Sequence, residues 1–295
     1  MTIANSQLPC RNSGRRPAGI AVGAAALALL AACSGSGSTG QASTGQASTG
    51  GSQAGGGSSL SAAQAVRLAA QQGKKVRSYS IKLDTSATGD LAAHTSGTVQ
   101  LRVKPALLAG IDLNIDTSGT QQSLQEVLTP KAIYVKLPGV GNPSKPWIKV
   151  SLTGSGGTGA TLGQLLQSVE SSNPENQTRM LTASKDLRKT GTQVIDGVPT
   201  TRYTGSYPLA AALRQLPPSL RKLTGAAIEG LGVTTVHFTV WIDGQHQTRK
   251  VVTVEKGTNS TVTTSLEISA INQPVHVAIP PASQITAAPA GLGNL

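Results

Sequence analysis

"LLAGIDLNID", residues 107–116, alternates cleanly from Ala109 onward. Leu107, Ala109, Ile111, Leu113 and Ile115 fall on one side of an extended chain, and Gly110, Asp112, Asn114 and Asp116 on the other. Successive side chains of a strand point to opposite faces, so the stretch predicts a β-strand with one dry face and one wet one. The same period runs through Val99, Leu101 and Val103 before it, and through Ile133, Val135 and Leu137, then Ile148, Val150 and Leu152, after it. Four early strands share one apolar face. A second set follows: Val236, Phe238, Val240 and Ile242 against His237, Thr239, Trp241 and Asp243; then Val252 and Val254; then Val262, Leu266 and Ile268. "IDGQHQ" (242–247) joins the first two as a hairpin, its Asp-Gly pair accepting the positive φ of a tight turn. The wet positions are rich in Thr, Ser and Lys, as in an antiparallel sheet solvated on one side.

Helical spacing occupies the gaps. In "LSAAQAVRLAAQQG" (60–73) Ser61 and Gln64 make a capping box and Gly73 a stop. "TLGQLLQSVESSNP" (161–174) places Leu162, Leu165, Leu166 and Val169 on one helical face, and "PENQTRMLTASKDLRKTG" (174–191) reads as a helix entered at Pro174 and left at Gly191. "PLAAALRQLPP" (208–218) repeats the spacing with Leu209, Ala212, Leu213 and Leu216. The class is therefore α+β. About ten strands exceed what a flat sheet tolerates, so the sheet is expected to curl and the helices to lie across its concave face. The inward residues are aliphatic with a single Phe in the whole chain, which leaves little volume to fill the middle. The candidate walls of an apolar cavity are Val99, Leu101, Val103, Leu107, Ile111, Leu113, Ile115, Ile133, Val135, Ile148, Val150, Leu162, Leu166, Leu213, Val236, Phe238, Val240 and Leu266.

Upstream of the sheet the chain changes character. Arg11, Arg15 and Arg16 precede an apolar run from Gly19 to Ala32, with no acidic residue. That is the charge pattern of a secretory signal, too short to span a bilayer. The signal ends in Leu30-Ala31-Ala32-Cys33, which resembles the lipobox of bacterial lipoproteins, in which the cysteine thiol takes a diacylglycerol and the new N-terminus is usually acylated. Cys10 leaves with the signal and Cys33 is consumed by lipid, so no disulfide is expected. Ser34–Ser59 is uncharged, small and rich in Gly, Ser and Thr, including QASTG repeated. It reads as a disordered tether reaching roughly 25–30 Å. The expected organisation is a signal over 1–32, lipidated Cys33 with its tether over 33–59, a binding domain over 60–285 and a disordered tail over 286–295. The net charge of +12, or +9 once the signal arginines are gone, suits anionic lipid headgroups or wall polymers. Seven aromatic residues are too few for a nucleic-acid stacking platform.

No reaction chemistry emerges. His94, His237, His246 and His276 lack partners at metal-ligand spacing. "GSGGTGAT" (154–161) has no Lys-Ser/Thr ending, and no Gly-x-Ser-x-Gly falls in the folded region. Asp112 and Asp116 point outward. Arg188, Lys189, Arg214, Arg221 and Lys222 flank apolar helical residues, either as solvated edges or as partners of anionic headgroups at a cavity mouth. The expectation is a protein without enzymatic activity, without metal and without cofactor beyond the covalent lipid.

"AIYVKLPG" (132–139), "KPWIKVSL" (145–152), "KTGTQVIDGVPTTRYTGS" (189–206), "VWIDGQHQTRKVV" (240–252) and "ISAINQPVHVAIPPASQI" (268–285), in this order behind a lipobox and tether, resemble the LppX/LprG-type lipoproteins of actinobacteria. The resemblance implies a LolA-like half-barrel around an apolar cavity. It further implies a lipid or glycolipid ligand, a lipid anchor on the extracytoplasmic face of the cell membrane and a possible membrane transporter as partner. Trp147, Gly197, Tyr203, Asp243, Arg249, Pro274 and Pro280 match as fold determinants. The alternative is a sensor resembling RseB that uses the same fold to bind a membrane protein.

Overall fold

In the computed structural model the described residues are 60–139, 142–151, 174–216, 221 and 231–287. Helix α1 (Ala62–Gly73) leads into six strands: β1 (Ser78–Gly89), β2 (Ala93–Arg102), β3 (Leu108–Thr117), β4 (Thr120–Leu128), β5 (Ala132–Lys136) and β6 (Trp147–Ser151). Helix α2 (Pro174–Leu181), β7 (Arg188–Ile195), β8 (Val198–Pro208), helix α3 (Leu209–Leu213), β9 (Thr235–Asp243), β10 (Thr248–Lys256), β11 (Ser260–Ser269) and a short β12 (Ile285–Ala287) complete the order. All twelve strands share one sheet, β12-β6-β5-β4-β3-β2-β1-β11-β10-β9-β8-β7, open at both ends. It is the half-barrel of an α+β fold, built from two antiparallel meanders, β1–β6 and β7–β11. They meet where β1 pairs with β11, Ile81 facing Ile268 and Leu83 facing Leu266.

The turns follow from residues that tolerate positive φ. Ser118-Gly119 joins β3 to β4 with φ of 53° and 81°, and Asp196-Gly197 joins β7 to β8 with 47° and 74°. A positive φ at both residues is the geometry of the two-residue hairpin turn. The β9–β10 turn differs from expectation: positive φ falls on His246 (59°), not on the Asp-Gly pair. Four residues, Gly244–Gln247, separate the strands, and the third takes the left-handed conformation. The Asp243 side chain holds it, accepting hydrogen bonds from the amides of Gln245 (2.9 Å) and Gln247 (2.8 Å).

Several expectations need correction. The helix begun at Pro174 ends at Leu181, and Arg188–Gly191 belongs to β7. The amides of Thr182, Ala183 and Ser184 close that helix with bonds three residues back, and Asp186 anchors the following turn to β8. The helix expected over 208–218 is shorter, because the Arg221 guanidinium takes the carbonyls of Leu213, Arg214 and Leu216. On β10 the inward residues are Val251, Thr253 and Glu255, while Val252 and Val254 pair opposite Thr239 and His237 on the outer face. A bulge between Thr248 and Lys250 shifts the register there. Thr286 and Ala287, placed in the frayed tail, extend β12. The helix expected over 161–174, with Leu162 and Leu166, lies outside the described residues except for Pro174, as do Cys33 and the tether.

α1 starts as expected: the Ser61 hydroxyl accepts from the Gln64 amide (3.2 Å) and the Gln64 side chain accepts from the Ser61 amide (2.9 Å). Its buried face, Ala65, Val66, Ala69 and Ala70, is small, which lets α1 approach α2 closely. After β11 the chain crosses the outer face as a strap. Arg77 donates its amide to Asn272 (2.7 Å), the Ser78 hydroxyl donates to the Gln273 carbonyl (2.6 Å), and β12 then pairs parallel to β6. Where the strap passes over β3 it meets Gly110, at which a Cβ atom would sit 3.1 Å from both methyl carbons of Val277. The absent side chain admits the strap.

Candidate functional site

The inner face of the sheet divides into two. Over β8–β10, residues Tyr203, Tyr207, Val236, Phe238, Val240, Ile242 and Val251 are buried with α1, Leu181 of α2 and Leu209, Ala212 and Leu213 of α3 in one core. Over β1–β5 and β11, residues Tyr79, Ile81, Leu83, Val99, Leu101, Ala109, Ile111, Leu113, Leu128, Ile133, Leu266 and Ile268 form a second apolar cluster. The helix contacts with the sheet among the described residues concentrate on β7–β9. The second cluster is a floor of side chains that are aliphatic apart from Tyr79.

Strand register sets this floor in rows. Tyr79, Leu101, Ala109, Leu128, Ile133 and Val150 lie level across β1–β6. The next row runs Ile268, Ile81, Val99, Ile111, Glu126, Val135 and Ile148, and the one after it Val251, Leu266, Leu83, Gly97, Leu113 and Leu124. Then polarity rises: Thr253, Thr264, Thr85 and Thr95 line up, with the Thr85 and Thr264 hydroxyls 3.3 Å apart. The last row holds Tyr207, Val236, Glu255 and Val262. The inner surface thus grades from oily at one end of the strands to hydroxyl-bearing at the other.

The structure brings Val99, Leu101, Leu107, Ile111, Leu113, Ile133 and Leu266 together in the floor, with Val103 and Val135 packed against it. By register Ile115, Ile148 and Val150 continue its rows. Leu213, Val236, Phe238 and Val240 belong to the helix-packed core instead.

Two acids missed in the sequence also face inward. Glu126 projects between Ile111 and Val135, and Glu255 between Val236 and Val262. Both are buried, and burial pushes each carboxyl up to about 7. Burial disfavours the charged form. Asp243, the other buried acid among the described residues, is fully partnered by Arg249 (2.7 Å) and two amides. Glu126 and Glu255 have no hydrogen-bond partner among the described residues. β4 lacks clean alternation, so only the register against β3 places Glu126 on the dry side.

A groove of about 560 Å³ runs between the start of α1 and the β7–β9 ends, bordered by Leu60, Ala65, Val194, Tyr203 and Ile242. Leu60, the first described residue, stands at its rim. The outer face is polar: His94 meets Asp84 (3.0 Å), Gln125 donates to Asp112 (3.0 Å), and Lys250 lies over the Trp241 ring while bonding Glu267 (3.3 Å). Arg188 and Lys189 lie on the edge strand β7 instead of beside a helix, whereas Arg214 follows Leu213 at the end of α3 and Arg221 donates to the carbonyls there; Lys222 lies outside the described residues. Among the described residues no three metal-ligating side chains gather, and no helix is long and apolar enough to cross a membrane.

Comparison with known proteins gives a family-model match, to LppX_LprAFG lipoprotein, over residues 61–277. A Streptomyces griseus protein described as an uncharacterized 31.2 kDa protein in the rplA-rplJ intergenic region is 30% identical over 103 residues, and the match spans 34% of this chain and 34% of that one. The chain thus spans about a third of the length of this relative. Mycobacterium tuberculosis lipoprotein LppX is 20% identical, with 74% of this chain and 98% of that one covered and a TM-score of 0.43. LprF from Mycobacterium bovis is 16% identical, with 75% and 96% covered and a TM-score of 0.46.

Proposed function

We propose, from the premise that this chain belongs to the LppX_LprAFG lipoprotein family, that it is anchored through lipidated Cys33 at the extracytoplasmic face of the cell membrane and carries or presents a lipid there. The observation that carries the reading is the apolar inner face of β1–β5 and β11, a broad cluster separate from the core into which Leu181, Leu209 and Leu213 pack. Acyl chains suit such a surface. At about 25 cal/mol per Å² of apolar area removed from water, 300 Å² of buried chain contributes about 7 kcal/mol without any directional contact. The same arithmetic explains why no sharp sequence motif marks the site. Floor residues from Val99 to Leu266 serve as walls by shape and polarity, and a membrane transporter is the natural donor or acceptor of the cargo.

The test is to purify the full chain from membranes, extract it and identify bound lipid by native mass spectrometry. Stoichiometric acyl lipid is expected. A protein that yields none and takes up no added lipid or apolar fluorescent probe overturns the reading. A sensor resembling RseB would instead capture one membrane protein in stoichiometric amount, with the floor empty of lipid.

A further inference from the structure

The inner face carries polar groups that the fold itself does not use. Tyr207 on β8 and Glu255 on β10 flank Val236 of β9 in one row, so their backbones stand about 10 Å apart and both side chains project inward. Both residues are more than nine-tenths buried. Neither the phenol nor the carboxyl has a hydrogen-bond partner among the described residues, although the Glu255 charge is felt at Tyr207. Thr204 Oγ1 is the unpartnered side-chain polar atom found fully sealed among the described residues. A buried polar group without a partner is unfavourable, and here two such groups share a row with Thr253 in the neighbouring one.

We infer that Tyr207 and Glu255 form a hydrogen-bonding site for an uncharged oxygen of the bound lipid, an ester carbonyl or hydroxyl, and that the site discriminates against lipids bearing phosphate. The inference rests on the lipid-binding reading above and sharpens it. The phenol donates to a carbonyl or hydroxyl oxygen. Glu255 donates when protonated and accepts from a hydroxyl when ionised. When ionised it repels an anion, and no described cation lies close enough to bond either group and offset that repulsion. The lipid is thereby oriented, its oxygenated end at the Tyr207–Glu255 row and its alkyl chains along the aliphatic rows.

The test offers the intact delipidated protein an equimolar mixture of dipalmitoylglycerol and dipalmitoyl phosphatidate, and weighs what is retained by native mass spectrometry. The parent is expected to prefer the neutral lipid about tenfold, the scale of one hydrogen bond to a buried group. Glu255→Gln removes the negative charge and is expected to raise phosphatidate uptake. Tyr207→Phe removes a donor and is expected to lower dipalmitoylglycerol uptake. Each brings the ratio within about twofold while unfolding remains cooperative. An unchanged ratio in folded variants overturns the site. Independently of any substitution, the carbonyl stretch of ¹³C-carbonyl dipalmitoylglycerol should fall in frequency on binding to the parent, and an unshifted band overturns the site. Equal uptake of both lipids by the parent overturns this inference alone, whereas uptake of neither overturns it together with the carrier reading.

Discussion

Glu126 is the single acid in a row of aliphatic side chains, and that position makes the protein sensitive to pH. Its carboxyl and that of Glu255, ordinarily at 4.5, are each pushed up to about 7 by burial. Between those values the folded state holds protons that the unfolded chain releases, so stability is fully present below about 4.5 and is lost as pH rises through 7. Each group accounts for a loss on the order of 3 kcal/mol. Urea midpoints should fall between pH 5 and pH 8, and Glu126→Gln should remove about half of that fall. Asp243 differs from both in being partnered, its oxygens engaged by Arg249 and two amides. Asp243→Ala strands the half-buried Arg249 and frees two turn amides, and is expected to lower stability by about 3 kcal/mol in chemical denaturation. Neither inward glutamate was legible in the sequence. An isolated Glu on a short strand reads as a wet position, and only the partner strand shows which face it takes.

At the scale of elements, legibility tracked how locally each one is determined. Residues 107–116 declare their own two faces, and Ser61 with Gln64 declare a helix start, because the interactions lie within a few residues. The stretch 188–191 does not: Arg188 and Lys189 favour helix by propensity, yet β8 offers them ladder partners and tertiary pairing wins. Val252 and Val254 were assigned to the dry side because a bulge two residues upstream leaves no compositional trace. The strap was visible as a family-like stretch but not as an element crossing the sheet. Its fit over Gly110 leads to a test: Gly110→Ile should lift residues 275–287 and raise their amide exchange, with the inner face of β3 unaffected. Without β12, β6 becomes an open edge. Deleting residues 282–295 should therefore promote self-association on a sizing column, as an uncovered strand recruits another.

For the whole molecule the decisive quantity is how much apolar floor a ligand covers. A lipid at one hundred times its dissociation constant adds about 2.7 kcal/mol of stability, so delipidation should lower the melting midpoint and re-addition restore it. A protein whose midpoint ignores acyl lipid is not holding it in the sheet. Cys33→Ala should move the chain from the membrane to the soluble fraction, since two acyl chains anchor where none does not. The junction of β1 with β11 has one more consequence, which concerns timing. Ser80 waits for Ser269, so all the residues between them must be present before the two meanders can close on each other. Closure between partners so far apart in sequence is slow, and a product cut short of Ser260 lacks the strand that joins them.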